Sequence, residues 1–255
     1  LAARRHADAE TPPANVRQLF RAWRGECVAS LLAFGWRQPW RSTQEPDLSR
    51  DGQGRRGIVF VHGYVCNRGL WLPWLARCRA HGVPFVAPSL EPVFGSIDEY
   101  LPIIEAAVAR LERDTGLPPI IVAHSMGGLA VRAWWLAQPD AQVRVSHVFT
   151  LGTPHGGTWL ARFGITRNAR QMRPGSSWLV AVDATGDRAD RLAARCTCFY
   201  SHADNIVFPS QGARLPGAEA RHLEATGHMA LAWHPAVVRE VEARRVAIAP
   251  EAEPG

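Results

Sequence analysis

Lysine is absent from the 255 residues, so all 29 basic side chains are arginines, set against 23 acids for a formal net charge of +6. The charge is not gathered into blocks. The doublets are Arg4-Arg5, Arg55-Arg56 and Arg244-Arg245, and the other arginines are scattered among Asp and Glu. A nucleic-acid binder concentrates its basic residues, so no nucleic-acid partner is expected. An attraction to anionic membranes stays open. There is no apolar run of about 18 residues, so no membrane span lies within the chain. There is no internal repeat and no clear carboxylate cluster for calcium. Cysteine is scarce and odd in number: Cys27, Cys66, Cys78, Cys196 and Cys198. At least one is unpaired, and neither spacing nor neighbouring His suggests a zinc site. Cys196 and Cys198 are expected to face opposite sides of a strand and so not to bond. A bond between Cys66 and Cys78 stays open. The first residue is Leu1, not Met, and a mature or shortened form is expected. Any signal or membrane anchor would lie upstream of Leu1, which leaves the compartment unassigned.

With 47% hydrophobic and 20% charged residues, the composition is that of an ordinary globule. Residues 1–56 read as an N-terminal helical extension and linker. Val16, Leu19, Phe20, Trp23, Cys27 and Leu31 recur at helical steps. The following Trp36 and Trp40, with their arginines, suit either packing on the domain or contact with a membrane interface. Residues 57–255 alternate strand and helix signals. Ile58–Val61, Phe85–Ala87, Ile120–Ala123, Val145–Leu151 and Cys196–Tyr200 are short apolar runs of the kind buried on both faces of a parallel sheet. A shorter strand-like run covers His222–Glu224. Helical patterns lie between them, which predicts an α/β fold with a mostly parallel central sheet flanked by helices. The segment 152–195 breaks the rhythm. It is apolar, too long for a simple connection, and expected to be a lid-like insertion after the strand ending near Leu151.

The chemistry concentrates at strand ends. In Ala123-His124-Ser125-Met126-Gly127-Gly128 a buried strand runs directly into a serine, two glycines and a helix. That is the context of a nucleophile elbow, with Ala123 where glycine is usual. A serine hydroxyl needs a base, and the base needs an orienting carboxylate. His228, in Gly227-His228, and Asp204, in Asp204-Asn205-Ile206-Val207, follow in the order Ser, acid, His. The oxygen of an attacked carbonyl needs two N–H donors, assigned to Met126 and to Tyr64 in Val61-His62-Gly63-Tyr64. Asp183, Asp187 and Asp190 compete weakly for the acid, and His222 and His234 for the base.

Over about residues 57–241 these motifs, with Leu151-Gly152-Thr153-Pro154-His155-Gly156-Gly157-Thr158, resemble the lipase and esterase branch of the α/β-hydrolase superfamily. The Thr-Pro-His-Gly-Gly-Thr stretch is most similar to triacylglycerol lipases. The resemblance implies carboxylic-ester hydrolysis through an acyl-enzyme, with Ser125 as nucleophile, His228 as base and Asp204 as acid. It implies no organic cofactor; some bacterial relatives bind calcium, but without a carboxylate cluster no metal is expected here. His62, Gly63, His124, His155, Trp159, Leu160, Met172 and Trp178 are expected around a lipid-like acyl ester. Acyltransferase or thioesterase action with the same three residues is the enzymatic alternative. A noncatalytic, membrane-associated binding protein of the same fold is the other.

Overall fold

The structure is a computed structural model describing residues 12–50, 52–183 and 186–247. Six strands lie in one sheet, in the order β2-β1-β3-β4-β5-β6, and each neighbouring pair is parallel. They are β1 (Ile58–Val61), β2 (Phe85–Val86), β3 (Ile120–His124), β4 (His147–Leu151), β5 (Cys196–Tyr200) and β6 (Glu219–His222). All but β6 are buried along their whole length, which is why they read as unbroken apolar runs. β6 is the exception. It is a largely exposed edge strand, Glu-Ala-Arg-His, whose polar residues carry no hydrophobic signal. It begins three residues before the expected His222–Glu224 and shares only His222 with it.

Helices cover both faces. On one side β1, β3 and β4 pack with α4 (Leu101–Thr115), α5 (Met126–Ala137) and the insertion, in a core that includes Val61, Ala123, Leu129 and Trp134. On the other side Phe60, Val122, Phe149 and Phe199 meet Trp71, Trp74 and Leu75, the last two from α3 (Leu72–Ala80), and Val237 and Val241 of α11 (Pro235–Ala247). Two single-turn helices, α2 (Gln38–Arg41) and α6 (Ala141–Arg144), follow the N-terminal helix and α5, and the insertion forms α7 (Arg167–Gln171), α8 (Ser177–Val182) and α9 (Asp187–Ala194). The chain moves to one side from β1 to β2, then returns to place β3 on the other side of β1. In open α/β sheets such a reversal opens a crevice at the strands' carboxyl ends.

The N-terminal segment lies on this body. Asn15 caps α1 (Val16–Leu32) through a capping box with Gln18. Ala29 and Ala33 enter the second core, and Ala14 and Ala22 pack on Ala203. The stretch expected as a linker is fastened. Leu48 bridges Phe85, and Asp47 pairs with Arg68 and Arg110. One expectation needs correcting. Cys196 and Cys198 share a face, their sulfurs 3.8 Å apart, because side chains two positions apart on a strand point the same way. All five cysteines are free thiols. Burial pushes both Cys66 and Cys78 up to about 12.

Candidate active site

The site grows from the ends of β1 and β3, where the sheet order reverses. β3 ends at His124, and the chain turns at Ser125 with φ 54° and ψ −130° before α5 begins. An L-residue held there costs about 1–3 kcal/mol, so the surroundings must impose it. They do so by crowding. A Cβ on Gly127 would collide with the carbonyl oxygens of His62 and Val61, and one on Gly128 with Thr153. At Gly63 it would lie 2.8 Å from the Ser125 Cβ. Ala123, at the position where the elbow motif usually carries glycine, is fully buried in the core between the sheet and its helices.

Three buried side chains meet in a row. His228 Nε2 lies 2.9 Å from Ser125 Oγ, and His228 Nδ1 lies 2.9 Å from Asp204 Oδ2. The carboxylate fixes the tautomer: Nδ1–H donates to Asp204, leaving Nε2 to accept from the serine hydroxyl. The other oxygen, Asp204 Oδ1, accepts from the Ile206 and Val207 N–H groups, each at 2.8 Å. Burial works against charge on His228, but the Asp204 carboxylate, by charge and hydrogen bond, and then Glu26 hold its pKa above the ordinary 6.5. Gly152, at φ 57°, gives this pair room. A Cβ there would lie 3.1 Å from both Asp204 Oδ2 and His228 Nδ1.

The two expected oxyanion donors belong to backbone adjoining Ser125. The Met126 N–H is the first of α5, where a helix provides no acceptor of its own. Tyr64 directly follows Gly63, and its hydroxyl meets Thr166 Oγ1 at 3.1 Å. The flanking histidines brace the site from within. His62 Nδ1–H donates to the Gly63 carbonyl at 2.9 Å, and Nε2 accepts from the Leu90 N–H at 2.8 Å. Burial drives its pKa down to about 4. His124 Nε2–H donates to the His228 carbonyl at 3.0 Å, with the two rings 4.6 Å apart.

The other expected pocket residues divide. His155 turns away, toward Thr150 and Cys198, beside a pocket of about 490 Å³ that Ser125, Asp204 and His228 do not line. Met172 is buried in the core, and Trp178 packs against that core while its indole N–H donates to Asp98 at 2.8 Å. Leu160 is half-buried. Trp159 is 38% exposed, meets Phe163 edge-on and packs at a tilt on Phe208. Phe163, Ile165, Phe94 and Val65 are also exposed apolar residues. Phe94 meets the Tyr64 ring, so an apolar surface borders the loop that carries the expected donor. Of the competing acids, Asp183 pairs with Arg132 and Asp187 with Arg191. His222 and His234 accept from the backbone N–H groups of His202 and Ala236. Among the described residues no group of three or more His, Cys, Asp or Glu is placed to hold a metal ion.

Two residues went unassigned in the sequence. Asn205 Oδ1 accepts the His228 N–H at 3.2 Å, and Glu26 of α1 accepts from the Met229 and Ala230 N–H groups. Glu26 did leave a trace, as the only acid between positions 12 and 44.

This sheet, with a strand-to-helix serine at its reversal point, is the α/β-hydrolase fold. The solved structures it resembles include lipases and esterases. Against the mature form of a Bacillus licheniformis lipase, the TM-score is 0.65 at 18% identity, covering 79% of this chain and 96% of the other. Aspergillus fumigatus lipase B gives a TM-score of 0.62 at 16% identity over 72% of this chain, which spans 50% of that lipase. A monoacylglycerol lipase from Paleococcus ferrophilus gives 0.54 at 16% identity, covering 78% and 99%. No protein-family model and no curated protein sequence matches the chain.

Proposed function

We propose that the protein is a serine hydrolase of carboxylic esters, of the lipase and esterase type. The observation that carries this is the unbroken row Ser125 Oγ, His228, Asp204, with 2.9 Å at each link. The neutral Nε2 of His228 takes the hydroxyl proton as Ser125 Oγ attacks the ester carbonyl carbon. The carbonyl oxygen becomes an oxyanion, held by the Tyr64 and Met126 N–H groups. Asp204 stabilises the imidazolium without taking its proton. The imidazolium then protonates the leaving alkoxide, the C–O bond breaks, and the acyl group stays on Ser125. Water, deprotonated by the same Nε2, attacks the acyl-enzyme and releases the acid. An alcohol or thiol in place of water would make the enzyme an acyltransferase, and a thioester in place of the ester a thioesterase.

The apolar surface at Trp159, Phe163, Ile165 and Phe94 favours a lipid-like acyl group over a charged one. A panel of p-nitrophenyl esters from acetate to palmitate tests both points. Ser125→Ala should lower turnover by several powers of ten while the protein stays folded. Near-wild-type turnover by that variant would remove the assignment.

A specific feature supports peripheral membrane contact through the N-terminal segment. Val16, Phe20, Trp23, Leu31 and Phe34 are exposed along one side of α1 and its continuation, with Trp36 and Trp40 beyond. Arg17, Arg21 and Arg24 form the adjacent stripe and line a groove of about 690 Å³. Aromatic and basic residues side by side, with the sole acid turned inward, fit an anionic lipid surface. Among the described residues no helix is long and apolar enough to cross a membrane. Flotation with phosphatidylcholine vesicles, with and without an anionic lipid, should show binding to the anionic set alone. Trp23→Ser should weaken it roughly tenfold. Equal partitioning of wild type and variant would end this reading.

A further inference from the structure

Glu26 has no part in ester hydrolysis as described, yet it reaches the helix that carries the base. His228 is the first residue of α10 (His228–Leu231), and the residue before it, Gly227, has no side chain to cap that helix. Glu26 supplies the cap from an element about 200 positions away. Both its oxygens accept from the Met229 N–H, at 3.0 and 2.9 Å, and Oε2 also faces the Ala230 N–H at 3.3 Å. The fit excludes a self-cap: a Cβ on Gly227 would lie 2.5 Å from Glu26 Oε2. Ala22 of α1, with Ala14 just before its cap, packs on Ala203, the residue before Asp204. α1 therefore touches the supports of both the acid and the base.

Resting on the reading of His228 as general base, the geometry points to Glu26 as a positioning residue that fixes the His228 backbone and sets a second negative charge behind its imidazole. The charged and titratable groups facing His228 are Asp204 from the loop after β5, Glu26 from α1 and His124 from the end of β3. Burial, and then the charge on His228, push His124 down to about 3, so it contributes no charge near neutral pH. Burial raises the Glu26 pKa above 4.5, although the Met229 and Ala230 N–H groups and the His228 charge oppose the shift. An acid raised by folding stabilises the protein below its unfolded pKa. That stability is lost as the pH climbs through the folded pKa. Burial thus opposes the charged form of Glu26, and the Met229 and Ala230 N–H groups that both its oxygens accept support it, as expected of a charge retained for work at a site.

The test uses the full chain with Glu26→Gln, Glu26→Ala and Ser125→Ala. It follows kcat and KM on a soluble p-nitrophenyl ester between about pH 5 and pH 9, alongside thermal melts. Glu26→Gln should melt no lower than wild type at neutral pH. Its kcat should fall about tenfold, in the range usual for residues that orient a working histidine, with KM nearly unchanged. Its acid limb should move to lower pH by about half a unit or more, because a negative charge near the imidazole is gone. Glu26→Ala should shift the limb equally and lose more kcat. A wild-type kcat and unmoved acid limb in Glu26→Gln, or a loss matched by unfolded protein, would overturn the inference. Turnover retained by Ser125→Ala would instead strike the hydrolase reading. An inert Ser125→Ala beside a wild-type Glu26→Gln profile would strike the Glu26 role alone.

Discussion

Ser125 was legible because a strained turn between strand and helix restricts the residue types around it. The turn at φ 54° leaves no space for side chains at Gly127 and Gly128, and both glycines are visible in sequence. Asp204 and His228 were legible from their order and from the strand ends they follow. Their shared partner chemistry predicts a pH profile. In the proposed mechanism the working imidazole is neutral, and Asp204 and Glu26 hold the pKa of His228 above 6.5. Activity should therefore rise as the pH climbs through a midpoint above that value and level off beyond it. Asp204→Asn should lower kcat by several powers of ten, since Nδ1–H loses its carboxylate acceptor. Stopped assays across the pH range on both proteins check this, and a midpoint well below 6.5 in the wild type would contradict it. Glu26 escaped notice for a physical reason. It acts on backbone N–H groups, and no motif spacing records a contact across two hundred positions. His62 and His124 were visible, but not that their rings would be occupied with internal carbonyl and N–H groups.

Among the elements, the buried strands showed themselves through continuous apolar runs, whereas β6 did not. An edge strand needs only backbone pairing, and Glu219 and Arg221 gave no apolar signal. The side chains of the segment expected as an insertion serve mixed purposes. Met172 and Trp178 are held by the core and Asp98, while Trp159 remains at the surface beside the exposed Phe163, with the buried Phe208 beneath it. Sequence hydrophobicity cannot separate these two fates, because both demand large apolar side chains. Substitution can. Trp159→Ser should depress turnover of long acyl esters at least about fivefold more than that of acetate, in line with one lost apolar contact surface. Trp178→Ser should reduce activity on all chain lengths alike and lower the melting temperature. Parallel kcat/KM series on the ester panel distinguish the two, and equal losses across chain lengths in Trp159→Ser would take that residue out of acyl recognition.

For the molecule as a whole, the sheet and the N-terminal segment are fastened with unequal strength. The two large cores are built from Trp, Phe, Leu, Ile and Val. α1 is held by Ala14, Ala22, Ala29 and Ala33, a half-buried Leu19 and the Glu26 carboxylate. A methyl removed from water contributes far less than a leucine or phenylalanine side chain. Detaching α1 should therefore require much less free energy than global unfolding. Since α1 carries the Glu26 contact to the helix of His228, heat should abolish the proposed ester hydrolysis while most of the secondary structure is intact. Residual activity measured during a thermal ramp should fall several degrees before the far-ultraviolet circular dichroism transition, and recover on prompt cooling. Coincident curves would mean that α1 and the sheet melt as one unit. The same looseness makes the N-terminal helix a thermal fuse, whose temperature could be reset by enlarging the alanines beneath it without touching Ser125, His228 or Asp204.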